Sequence, residues 1–154
     1  MYKKIAKSLL LLSISTLIFS CAPRGESKSL QEVFENESER FEQVYALKQG
    51  EKSIKNVANL VNLLADLKST TLASQANKLK KGPEDIRIVK VVEEIDRILP
   101  NAGYTTRPAL TELRNQYEHI STFDAVNKSA MVLLLSRTYG LLADELETVA
   151  FKVS

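Results

Sequence analysis

The chain has 154 residues, 44% hydrophobic and 26% charged, and a formal net charge of +2. Its single cysteine excludes a disulfide within the chain, and its length matches one domain able to bury a core without one. The first 20 residues hold Lys3, Lys4 and Lys7 and no acid, so subtracting these three from +2 leaves −1 for the remainder. That near-neutral balance offers nucleic acid no general electrostatic attraction, and nucleic-acid binding is set aside.

The amino terminus follows those lysines with Leu9-Leu10-Leu11-Leu12 and Leu17-Ile18-Phe19-Ser20. A basic start followed by a short apolar run is the pattern of a cleaved secretory signal peptide. A membrane span needs roughly 20 apolar residues to cross ~30 Å of hydrocarbon; the run from Ser8 to Phe19, with Ser13, Ser15 and Thr16 inside it, is too short and too polar. Cys21 stands where this leader gives way to polar sequence, and a lone unpaired thiol is unusual in an exported chain.

Leu17-Ile18-Phe19-Ser20-Cys21 resembles the lipobox of bacterial lipoproteins. Ile18, Ser20 and Cys21 conform to it, while family members usually carry a small or aliphatic residue where Phe19 stands. The resemblance covers residues 1–22 only. It implies that residues 1–20 are removed and that the Cys21 sulfur is diacylated, with a further acyl group usually added to its new amino group, giving a lipid anchor in the cell envelope. Ala22 in place of Asp implies, by the same resemblance, sorting to the outer membrane on its periplasmic side. The alternative is an ordinary signal peptide cut near the same place.

Residues 21–28 form a short tether, and at ~3.3–3.6 Å per residue the part beyond Cys21 spans at most about 25 Å. Residues 29–154 read as an all-α domain, an antiparallel bundle of four or five helices. Ser29 and Glu32 have capping-box spacing, Leu30, Val33, Phe34, Phe41, Val44 and Tyr45 recur at helical steps, and Gly50 supplies a left-handed stop, which predicts a helix over about 30–49. Its outer face is acidic, with Glu32, Glu35, Glu37, Glu39 and Glu42, and is read as a solvated face. A second helix is expected over about 53–81, ending at Gly82-Pro83, with Lys78, Lys80 and Lys81 in its last turn, where the helix dipole favours cations. Its stretch from Ser69 to Ser74 is weak in helix formers and predicts a bend or a close neighbour.

A third helix is expected over about 84–99, with Ile88, Val91, Val92, Ile95, Ile98 and Leu99 on one side and Glu93 four residues before Arg97. Pro100 to Thr106 is the clearest loop. Thr106 and Pro108 start a fourth helix that runs to about Ser121. The fifth is expected from Asp124, as N-cap, to about Lys152, apolar all round at Ala130 to Leu135 and then striped by Tyr139, Leu142, Leu146, Val149 and Val153. Such a helix is covered on several sides and sits centrally. Gly140 interrupts it at a cost of roughly 1 kcal/mol relative to alanine, which predicts close helix contact or a kink there.

Catalytic chemistry finds little support. His119 is the only histidine, with no nucleophile elbow, no pair of Glu-x-x-His motifs for a di-iron site and no phosphate-binding glycine motif; no cofactor or metal is assigned. Glu112 lies seven residues before His119 and shares its helix face. The adjacent pairs Glu93-Glu94 and Asp144-Glu145 point about 100° apart on a helix and are read as solvated. The candidate partner-binding loop is Asn101, Gly103 and Tyr104, an aromatic beside a glycine where binding residues gather; the other reading of Tyr104 is a ring that caps the bundle end. These features imply a membrane-anchored, non-enzymatic adaptor, assembly or structural protein of the envelope with a protein partner. Two other readings are a surface-exposed lipoprotein that contacts a host or another cell, and, behind both, an envelope enzyme acting through carboxylates.

Overall fold

The computed structural model describes residues 29–80 and 87–148. Cys21, the leader, the tether and the residues 81–86 and 149–154 lie outside them, and with the last group go Val149 and Val153 of the expected apolar stripe. Five helices, α1 Leu30–Leu47, α2 Lys52–Ala73, α3 Arg87–Ile98, α4 Thr106–Ser121 and α5 Lys128–Thr148, carry nearly all of the structure, with a 3-10 turn at Leu99–Asn101 and two short strands, β1 Lys78–Lys80 and β2 Ala125–Asn127. The fold is an all-α bundle.

Side-chain contacts fix the directions of the helices. Tyr45 and Val61 line one groove with Glu42 and Lys68, and Lys68 also bonds Ser38, so α1 and α2 run oppositely. Arg97 bonds Asn56 and Arg87 bonds Thr70, which makes α2 and α3 antiparallel. Tyr117 meets Thr138 and Gly103 meets Glu145, so α4 and α5 are antiparallel too. Five helices in strict alternation leave the first and last pointing the same way, and α1 lies along α5 in that sense, Glu37 beside Gly140 and Arg40 beside Asp144. Helices α2, α3, α4 and α5 close into a four-membered ring by packing successively on one another, and α1 covers the outer side of α5. The apolar run of α5 is thereby explained: it touches α1, α2 and α4.

The core follows the helical stripes. Phe34, Phe41 and Val44 of α1, Val57, Leu60 and Leu64 of α2, Ile88, Val91, Ile95 and Ile98 of α3, Leu110, Leu113 and Tyr117 of α4, and Met131, Leu135, Tyr139, Leu142 and Leu146 of α5 are buried together. The α1 capping box forms as expected, Glu32 N–H donating to Ser29 Oγ at 3.1 Å and Ser29 N–H to Glu32 Oε1 at 3.1 Å. Gly50 adopts φ 94°, the left-handed turn between α1 and α2. A polar contact lies at the edge of the core between α1 and α2: Lys68 Nζ donates to Ser38 Oγ at 2.6 Å and lies 5.9 and 5.8 Å from the ring centres of Phe34 and Tyr139, an arrangement that favours the cation. Burial pushes the Tyr139 hydroxyl above the usual phenol range, with the nearby Glu42 charge acting in the same direction.

Three expectations are corrected. Helix α2 stops at Ala73, eight residues short of its expected end: the backbone is extended at Ser74 and residues 78–80 are taken into β1, paired with β2. Lys78 and Lys80 therefore stand on β1, paired antiparallel with Asn127 and Ala125, and not in a last helical turn; Lys81 lies outside the described residues. Helix α5 begins at Lys128 and not near Asp124, because residues 125–127 are taken into β2. Asn127 Oδ1 then accepts from Ala130 N–H at 3.0 Å in the manner of an N-cap.

Candidate functional site

The pole of the bundle opposite β1 and β2 is closed by the loop between α3 and α4. Proline at position 100 ends α3, and the chain tightens into the 3-10 turn, with Ala102 N–H donating to Leu99 O at 3.1 Å. Gly103 O then accepts from the N–H groups of Thr106 and Arg107 at 3.2 and 3.0 Å, while the Arg107 guanidinium donates to Ala102 O at 2.9 Å. Gly103 N–H points inward and donates to Glu145 Oε2 at 2.9 Å.

Glu145 is the one buried carboxylate among the described residues, at 0% exposure, and its Oε1 has no partner there. This overturns the reading of Asp144-Glu145 as a solvated pair: the 100° step sends Asp144 outward to Arg40 at 2.5 Å and Glu145 into the core. The hydrogen bonds that Arg40 donates to Asp144 and Glu147 raise its guanidinium above its ordinary range. Position 145 falls three residues after the buried Leu142 and beside the buried Leu146, so the inward stripe could have revealed it.

Of the expected loop residues, Asn101 is half-buried at the end of the 3-10 turn and Gly103 is buried in the backbone network, while Tyr104 is 92% exposed. The ring therefore does not cap the bundle. Hydrogen bonds on both sides hold the backbone that presents it.

A second feature lies along the bundle. An open groove of about 660 Å³ runs between α4 and α5, lined by Pro108, Glu112, His119, Ile120, Leu133 and Arg137 among others. A smaller hollow continues it past Ala109, Gln116 and Leu141. Glu112 and His119 share this face, as their spacing predicts. Seven residues apart, however, they are separated by about 10 Å along the axis, too far for a carboxylate to orient an imidazole. His119 instead packs edge-on against the ring of Phe123, with centroids 4.9 Å apart. Comparison with protein families, curated proteins and solved structures finds no match.

Other ion pairs brace the scaffold. Arg114 clamps Asp96 on α3 at 2.9 Å and Glu118 at 2.5 Å, and those two hydrogen bonds raise its guanidinium above the ordinary value. Glu94 pairs with Arg97 at 2.8 Å, whereas Glu93 is exposed beside Lys90 over a shallow polar hollow. Among the described residues no group of three or more His, Cys, Asp or Glu is placed to hold a metal, and no helix is long and apolar enough to cross a membrane. Tyr117 Oη lies 2.8 Å from Thr138 Oγ1 in the core; burial raises its hydroxyl well above the usual range, although the Thr138 bond works against that shift.

Proposed function

We propose that the protein is a lipid-anchored component of the bacterial envelope that binds another envelope protein through the α3–α4 loop and performs no catalysis. The observation that carries this reading is Tyr104, an aromatic ring 92% in solvent on a backbone fixed by the Gly103–Glu145 bond. A rigidly presented tyrosine supplies large contact area at small entropic cost, which is why such rings anchor protein–protein contacts. Loops held by a stiff scaffold are the usual carriers of binding function. The lipobox resemblance at Cys21 supports the anchor, and Ala22 supports an outer-membrane position facing the periplasm.

Two measurements test the two halves of the proposal. A photo-crosslinking amino acid placed at position 104 in living cells is expected to give a covalent adduct with one envelope protein, and the same group at exposed Glu35 on α1 is not. Equal yields at the two positions, or none at 104, would refute the loop as the contact. Palmitate labelling is expected to mark the wild-type chain and to vanish in Cys21→Ser; labelling that persists would remove the anchor.

A further inference from the structure

We propose that the pole bearing β1 and β2, the strand pole, docks on the surface of an anionic phospholipid bilayer and directs the loop pole and Tyr104 away from it. This docking rests on the lipid anchor proposed above and adds a contact of the folded body to it.

Chain direction puts the anchor at this end. Helices α1, α3 and α5 start here and α2 and α4 end here, so Ser29, the N-cap of α1, lies at the strand pole. From Ser29, residues 22–28 lead back to Cys21 and span at most about 25 Å. The 18 residues of α1 put the loop pole about 27 Å away from Ser29 at 1.5 Å per residue. A body turned loop pole down would lift Ser29 to the full reach of its tether or past it, whereas the strand pole meets the same bilayer with the tether slack.

The same end carries most of the exposed apolar surface. Of the seven large hydrophobic side chains that stand exposed among the described residues, five lie at the strand-pole end of their elements: Val33, Leu72, Val89, Phe123 and Leu133. All are within six residues of a helix end, about 9 Å or less at 1.5 Å per residue. Every helix supplies one, Phe123 standing just beyond α4, so the apolar groups surround the pole and are not gathered on one face. A protein partner needs them on one face; a planar phase meets all of them at once. Their level suits the roughly 5–10 Å to which interfacial segments sink apolar side chains between headgroups and acyl chains.

Charge fits the same surface. The strands, their links and the four residues of each helix nearest the pole hold Lys78, Lys80, Arg87, Lys90 and Lys128 against Glu32, Glu118 and Asp124, five cations to three anions. The adjoining segments 22–28 and 81–86 leave that excess unchanged, with Arg24, Lys28 and Lys81 against Glu26, Glu84 and Asp85. Each lysine or arginine close to an anionic bilayer favours the bound state roughly fivefold. Lys48, Lys52 and Arg107 make the loop pole basic as well, so the tether and the apolar ring decide which end lies down.

The test uses the full chain, isolated from cells in mild detergent, with a fluorophore placed in turn on Phe123→Cys, Val89→Cys and Tyr104→Cys. Each is inserted in vesicles of phosphatidylcholine and phosphatidylglycerol whose headgroups carry a nitroxide quencher. Labels at 123 and 89 are expected to lose most of their fluorescence, and the label at 104 to keep it. Quenching at 123, followed as salt is raised, reads the docking equilibrium. Lys78→Glu with Lys90→Glu, both at exposed positions, is expected to shift it at least about tenfold toward the undocked state. Labels at 123 and 89 that stay bright, quenching at 104 equal to theirs, or an equilibrium indifferent to the two lysine substitutions would each overturn the docking. Palmitate incorporation into the same preparation separates this from the anchor: an acylated chain with an unquenched pole refutes the docking alone, and an unacylated chain refutes the anchor and the docking with it.

Discussion

Truncating Glu145 to alanine should loosen the α3–α4 loop far more than it destabilises the bundle. The Oε2–Gly103 N–H bond is 2.9 Å long and fully buried. Its loss leaves a buried donor unsatisfied, at about 1–3 kcal/mol. The cavity left by the side chain adds on the order of 1 kcal/mol. Against this, alanine removes Oε1, a buried oxygen with no partner among the described residues, whose relief offsets about 1–2 kcal/mol. The net global change is about 1–2 kcal/mol, a fall in Tm of roughly 3–8 °C for a domain of this size. The local change is larger: at a factor of ten per 1.4 kcal/mol, the Gly103 amide should exchange roughly 10–100-fold faster with deuterium. Glu145→Gln keeps an acceptor at the same place and should hold that exchange within about threefold of wild type, well inside 1 kcal/mol. Amide exchange followed residue by residue checks both. An unchanged Gly103 rate in the alanine variant, or an equal acceleration in the glutamine variant, would refute the idea that this carboxylate fixes the loop.

Three further outcomes follow from the packing. Because burial holds the Tyr139 hydroxyl protonated to higher pH in the folded than in the unfolded chain, the native state binds more protons above about pH 10 and stability falls as pH rises there; Tyr139→Phe should flatten that fall in urea titrations, while Tyr117, raised by the same cause, keeps part of it. A Cβ at Gly140 would meet only the carboxylate end of Glu37, itself about one-third exposed, so Gly140→Ala should stay within about 1 kcal/mol of wild type, and the double variant with Glu37→Ala should gain roughly 0.5–1 kcal/mol from helix propensity in thermal unfolding. Arg40→Ala should cost no more than about 1 kcal/mol, since its pairs with Asp144 and Glu147 are substantially exposed, and most of that cost should disappear at about 1 M salt when chemical denaturation is repeated there.

The helices that could be read from the chain are those whose ends carry their own chemistry. Ser29 and Glu32 close a capping box, Gly50 turns left-handed and Pro100 stops α3, and the observed boundaries fall within about three residues of the expected ones wherever such a local signal exists. The end of α2 carries no such signal before Gly82. Its true stop depends on β1 pairing with β2 across a long stretch of sequence, and a three-residue strand leaves almost no periodicity to detect. The same pairing moves the start of α5. Of the candidate site, the loop and its aromatic were legible from Pro100, Gly103 and Tyr104, but the sequence leaves open whether the ring caps the bundle end, and only its exposure decides that it does not. The support beneath them was missed although position 145 falls on the inward stripe of Leu142 and Leu146, because Glu145 beside Asp144 has the look of an ordinary acidic pair.

The shared direction of α1 and α5 has a mechanical consequence. A pull applied between Ser29 and the end of α5 acts along the length of their common seam, which includes Phe34, Phe41 and Tyr139. The load falls in shear on the whole row of contacts together, so the seam must slide as a unit and does not peel open one contact at a time.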